Sequence, residues 1–123
     1  MSFDIIILKP TDPDENSLSN VEDVLDIGRA EVVITSLESV FPGCIQGTFS
    51  AGERYSLESA QNGDPVSSVH LALRFGRDWS DAASAEFHNL LSTLCQLLQS
   101  VAFAVSDNSR IAPPAKVGPS CSP

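Results

Sequence analysis

The order of hydrophobic patterns along this chain of 123 residues predicts an α+β domain. Three observations carry that reading. Phe3-Asp4-Ile5-Ile6-Ile7-Leu8 is a β-branched, nearly continuous apolar run; two later segments space their apolar residues as helices do; and alternating segments of strand length lie between and after them. The length suits a single domain with one core, and a composition 42% hydrophobic and 19% charged is ordinary for a globular protein.

The opening run predicts a strand with neighbours on both sides, because an edge strand would alternate with polar residues. Lys9 to Ser19 contains two prolines among Asp, Asn and Ser, which remove donors and compete for backbone bonds, so it reads as a surface loop. Asn20 is expected to cap a short turn, with Glu22 and Asp23 near its positive end and Val21, Val24 and Leu25 on one face. Beyond Gly28 the stripe Ala30, Val33, Ile34, Leu37 and Phe41 predicts a helix that stops at Pro42-Gly43. The strand propensity of Val32-Val33-Ile34-Thr35 is outweighed by that spacing.

Cys44 to Ser50, Glu53 to Ala60 and Pro65 to Phe75 read as three strands. Tyr55 and Leu57 must share a face with Val69, Leu71, Leu73 and Phe75, all odd positions, and a two-residue turn would pair odd with even. A connection of about five residues keeps the apolar sets together. Ser80 or Asp81 caps a second helix, with Ala83, Phe87, Leu90, Leu91, Leu94, Leu97 and Leu98 facing inward and an end near Ser100. Its outer face, His88, Asn89, Ser92, Thr93, Gln96 and Gln99, is polar but uncharged and therefore cheap to desolvate. Val101, Phe103 and Val105 mark a final strand, closed by Ser106 to Ser109. The sequence thus predicts a domain over residues 1–111 and a Pro-rich, mobile tail over 112–123. Its element order, β-α-β-β-β-α-β, fits a ferredoxin-like two-layer plan: a split βαβ with an extra strand, and two helices on one face of a mainly antiparallel sheet.

Sixteen acidic against seven basic residues give a net charge of -9, which disfavours nucleic acid and anionic membrane surfaces and favours a basic partner. The acids crowd toward the first long loop, which is either a solvated segment or a steering surface. The N-terminus lacks a positive region and no run is long enough for a membrane span, so a cytoplasmic location is expected. Cys44, Cys95 and Cys121 are odd in number with no C-x-x-C spacing, as expected of reduced structural thiols, and Cys121 is misplaced for prenylation.

The chemistry motifs are sparse. His70 and His88 have no ligand partners at zinc-site spacing, and there is no nucleophile elbow, P-loop or G-x-G-x-x-G, so neither a metal nor a cofactor is expected. Asp12-x-Asp14-x-Asn16 with Asp23 at the twelfth position imitates a calcium loop. Ser17 in place of glycine, Pro13 inside the loop and a preceding strand all argue against that reading. Trp79 reads as a hydrophobic staple against Ala83 or as an interface anchor beside Arg77. On the uncovered sheet face, Arg54, Glu58, His70 and Arg74 form a second candidate site, with Glu58 expected close to His70.

The opening Met1 to Pro10, the Phe41-Pro42-Gly43 stop, Tyr55-Ser56-Leu57-Glu58, the run Val69 to Phe75 and the ending Phe103-Ala104-Val105-Ser106-Asp107 together resemble small bacterial immunity proteins of secreted polymorphic toxin systems, contact-dependent or type VI. Where relatives often end that last strand in a Tyr-Asp-Pro or Phe-Asp type motif, this chain has Val105-Ser106-Asp107. The resemblance implies a non-enzymatic cytoplasmic protein that binds one cognate toxin domain. On that view Asp12, Asp14, Glu15, Glu22, Asp23 and Asp26 steer a basic toxin face, and Tyr55 or Trp79 anchors it. A small-molecule or enzymatic site on the open sheet face is the rival reading, and self-association as a homodimer is a third.

Overall fold

The computed structural model describes residues 2–12, 15, 17–45, 47–63 and 65–112. In chain order the elements are β1 (Ser2–Pro10), a 3-10 turn (Leu18–Asn20), β2 (Val24–Leu25), α1 (Ala30–Val40), β3 (Phe49–Ser50), β4 (Tyr55–Asn62), β5 (Ser68–Phe75), α2 (Asp81–Leu98), β6 (Val101–Ala104) and β7 (Arg110–Ala112). The sheet runs β3-β4-β5-β1-β6-β7 with every pairing antiparallel, and β2 pairs with the end of β1. The four longer strands follow the split βαβ order that the sequence predicts, and β1 is central: it pairs with β5 on one side and β6 on the other.

Five residues, 63–67, join β4 to β5, and the register sets Tyr55 opposite Phe75 and Leu57 opposite Leu73, odd against odd. The odd positions of β1, β4 and β5 therefore share one face. Ile5, Ile7, Leu57, Val69 and Leu71 are buried there in one cluster with Val33 and Leu37 of α1 and Phe87, Leu91 and Leu94 of α2. Burying a side chain of this size contributes about 1.5–3 kcal/mol, so this helix-covered face supplies most of the driving force for folding.

The helix ends follow local chemistry. The Ser80 hydroxyl accepts the Ala83 N–H at 3.3 Å, and Gln99 closes α2 in the left-handed conformation. The α1 end is closed by its own Glu38, whose carboxylate accepts the N–H groups of Gly43 at 3.0 Å and Ile45 at 3.4 Å. This turn holds Cys44 buried, and so the predicted strand from Cys44 shrinks to Phe49–Ser50.

Other expectations are corrected. Asn20 ends a 3-10 turn instead of capping one, and Val24-Leu25 are extended. Leu97 is 55% exposed while Cys95 takes an inward position, because the buried arc of α2 runs through Phe87, Leu91, Leu94 and Leu98. Val105 is exposed in a turn beyond β6, and β7 is a strand that the sequence reading missed; Ala112, assigned to the tail, is its buried last residue. The rest of the predicted tail lies outside the described residues, as does Cys121.

The far face of the sheet is not uniform. Phe103 pairs with Ile6 and Val101 with Leu8, even positions of β1, so they point away from the helices; yet both are buried. The connection from β1 to α1 runs along this edge: the Leu18 N–H donates to the Asn108 carbonyl at 2.7 Å, and the Arg110 guanidinium to the Glu15 carbonyl at 3.3 Å.

Candidate functional site

Three surfaces bring chemistry-bearing side chains together, and the first is the connection between β1 and α1. Pro10 cannot donate a backbone bond, and the Thr11 N–H donates to the Asp23 carbonyl at 3.4 Å. That bond makes Lys9–Leu25 a hydrogen-bonded pair and Pro10–Val24 a non-bonded one, so the N–H and C=O of Val24 point away from β1. Glu22, Asp23 and Asp26 are exposed around Val24 and Leu25, which are themselves 41% and 48% exposed. Asp12, Glu15, Glu22 and Asp23 line a small groove of about 110 Å³ at the start of this segment, and the Glu15 carboxylate also accepts the Ser17 N–H. Of the predicted acidic set, only Asp14 lies outside the described residues. Among the described residues no group of three or more His, Cys, Asp or Glu is arranged to hold a metal ion.

The second surface is the far face of β1, β4 and β5. Here the predicted pairing is exchanged. Glu58 stands opposite Ala72 and its carboxylate lies 3.7 Å from the Arg74 guanidinium, while His70 Nε2 lies 3.7 Å from Asp4 Oδ1. The small side chain of Ala72 lies between the two pairs, and the Thr48 hydroxyl donates to Glu58 at 3.3 Å. Arg54 does not belong to this face. It precedes β4 and reaches the helix layer, donating to Glu86 Oε1 of α2 at 2.7 Å. The four groups that remain form two half-exposed pairs, and the Arg74–Glu58 ion pair is worth at most about 1 kcal/mol.

The third surface is an aromatic corner where β5 meets α2. Gly76 makes it possible: its N–H donates to the Arg54 carbonyl at 2.9 Å, and a Cβ there would lie 2.0 Å from the Glu53 carbonyl oxygen. The tight turn sets Trp79 against Phe75 at 4.8 Å between ring centroids and edge-on to Tyr55 at 5.8 Å. Phe3, Phe75, Trp79, Phe87, His88 and Ile111 border an apolar cleft of about 210 Å³. Trp79 is thus part of an aromatic cluster, half-buried. Tyr55 is 1% exposed, and burial pushes its phenol up from the ordinary range, with the nearby Glu86 adding to the effect. Its burial removes it from the anchor role, because a residue in the core offers a partner no surface.

Burial also pushes the Cys95 thiol up to about 12 and raises that of Cys44, which keeps both protonated and weakly nucleophilic. No helix of the described residues is long and apolar enough to cross a membrane.

On these surfaces sequence reasoning missed the partnership of Asp4 with His70 and the extended form of Val24-Leu25. The extended Val24-Leu25 left a signal, an aliphatic pair set directly between Asp23 and Asp26. Fold and surfaces together define an acidic two-layer α+β domain with a split βαβ sheet. No protein-family model matches the chain, and no curated protein or solved structure gives a significant match to it.

Proposed function

We propose that this chain is an immunity protein: a non-enzymatic binder that neutralises a cognate secreted bacterial toxin in the cytoplasm by covering its active or functional surface. The observation that carries the reading is the exposed acidic segment Glu22 to Asp26, where three carboxylates surround two solvent-exposed aliphatic side chains. Such a patch attracts a basic partner from a distance and offers it apolar area to bury once docked. Within the toxin-binding set, Asp12, Glu15, Glu22, Asp23 and Asp26 steer, and Trp79 remains a contact through its half-buried indole. The open-sheet reading has less support, because Glu58, His70, Arg74 and Asp4 pair with one another rather than converge on a shared point.

Co-expression with a candidate toxin domain, sought among the reading frames beside its gene, tests the reading. The wild-type chain restores growth, and the purified pair associates more slowly as salt rises from 50 to 500 mM, roughly a tenfold effect for a steered complex. Undiminished toxicity, or a small metabolite retained by the purified chain in place of a protein partner, refutes it.

A further inference from the structure

Resting on that partner-binding reading, we infer that β2 is a docking edge, and that its occupant is an extended, lysine- or arginine-bearing segment of the partner that adds as a strand beside Val24. Three observations converge on this short stretch. The first is main-chain polarity: with Pro10–Val24 the non-bonded pair, Val24 turns its donor and acceptor outward, and among the described residues β1 is its sole strand partner. The second is exposure, since Val24 and Leu25 offer apolar area on both faces of the strand.

The third observation is charge, which selects the occupant. An open edge invites a second copy of the same chain, and natural sheets protect such edges with charged side chains. Glu22, Asp23 and Asp26 do this here, in a chain already at net charge -9. A second copy would set like charges directly opposite each other, which destabilises cross-strand pairs, whereas a basic strand would set opposite charges there. The same carboxylates that exclude self-pairing thus admit a basic segment. Main-chain bonds supply affinity in this mode, and the alternate side chains supply selectivity.

The edge is short, because the chain turns away beyond Asp26: the Ile27 N–H donates to the Val66 carbonyl and the Val66 N–H to the Gly28 carbonyl, at 2.8 and 2.7 Å. The docked segment is therefore three to five residues long, with its alternate basic side chains on the face of Glu22 and Asp26, two positions either side of Val24.

An acetylated and amidated peptide, Lys-Val-Lys-Val-Lys, titrated into the full chain and followed by amide spectra and hydrogen exchange, tests the proposal. The expected result is binding that slows exchange of the Val24 amide at least about tenfold, with no binding of the Glu-Val-Glu-Val-Glu counterpart. Val24→Pro removes the outward N–H while leaving the β1 bonds in place, so the variant folds and its affinity for the peptide falls about tenfold or more. Val24→Thr retains binding. The wild-type chain with a peptide N-methylated at alternate residues gives the same loss without touching the protein. Protection that appears at β3 or β7, equal binding by Val24→Pro, or no binding at millimolar peptide overturns the proposal. Toxin neutralisation by Val24→Pro at the wild-type level would likewise refute β2 docking while leaving the immunity reading intact; failure of the wild-type chain to neutralise would refute that reading instead.

Discussion

Replacing Tyr55 with Phe removes one oxygen from the middle of the aromatic cluster, and the structure gives that change a definite sign. The Tyr55 hydroxyl is buried with no hydrogen-bond partner among the described residues. An unpaired buried hydroxyl costs about 1–3 kcal/mol relative to water, and Phe does not carry that cost. The ring itself keeps its edge-on contacts with Phe87 at 5.5 Å and Trp79 at 5.8 Å between centroids. The void left by the oxygen is about 10 Å³, which at about 24 cal/mol per Å³ subtracts only about 0.2 kcal/mol. Tyr55→Phe is therefore expected to stabilise the fold by about 1–2 kcal/mol. Urea denaturation would show this as a higher midpoint at unchanged slope, and thermal unfolding as a Tm raised by about 3–5 °C per kcal/mol for a domain of this size. A variant less stable than wild type by more than about 0.5 kcal/mol would refute the reasoning, because it would mean that the hydroxyl has a partner whose bond outweighs its desolvation.

Gly76→Ala should cost about 3 kcal/mol or more, since the new methyl meets the Glu53 backbone and cannot be relieved by a side-chain rotation; urea midpoints check it, and a loss below about 1 kcal/mol would show that the turn relaxes easily. Phe87→Ala removes a ring that contacts both Phe41 and Tyr55 and should lose about 3–5 kcal/mol by the same measurement. Stability should also fall in alkali. The Cys95 thiol ionises near 9 in the unfolded chain but only near 12 in the fold, so the native state binds more protons across that window and unfolding becomes easier as pH rises from about 9 toward 12. The slope is at most about 1.4 kcal/mol per pH unit for this one group, and Cys44 and Tyr55, raised in the same direction, add to it; a flat profile between pH 8.5 and 10.5 would contradict it. Arg54→Ala should leave stability nearly unchanged, because its pairing with Glu86 is close to half exposed and screened by solvent, and thermal unfolding at low and high salt would measure it.

The fold was readable wherever periodicity and parity were strong. The odd-numbered apolar set of β4 and β5 called for a connection odd in length or bulged, expected at about five residues, and the strands end at 62 and resume at 68 in odd-to-odd register. Phe41-Pro42-Gly43 stopped α1 as expected, although the stop depends on Glu38 reaching forward to the turn, which no spacing rule reveals. What escaped was set by tertiary context. Val24-Leu25 read as part of a turn because two residues are too few to show a period, and their extended form comes from pairing with β1. Only the immunity resemblance makes Tyr55 an anchor, whereas its parity already sets it on the apolar face of β4, and there it lies under the helices. The grouping on the open sheet face was legible in part: Glu58, His70 and Arg74 share that face, while Arg54 lies one step before the strand begins and turns to α2.

The central place of β1 also has a kinetic side. Ile5 pairs with Leu71 and with Ala104, partners 66 and 99 residues further along the chain. During synthesis the Ile5-Ile6-Ile7-Leu8 run therefore emerges long before β5 and β6, the two strands that flank it, exist. Non-local closure of this kind slows folding, and an uncharged β-branched run is the segment most prone to pair with a neighbouring chain while it waits. The strand that organises the finished sheet is thus also its chief hazard on the way there, and chaperone demand and expression yield should respond more sharply to substitutions in β1 than to equally buried ones in α2.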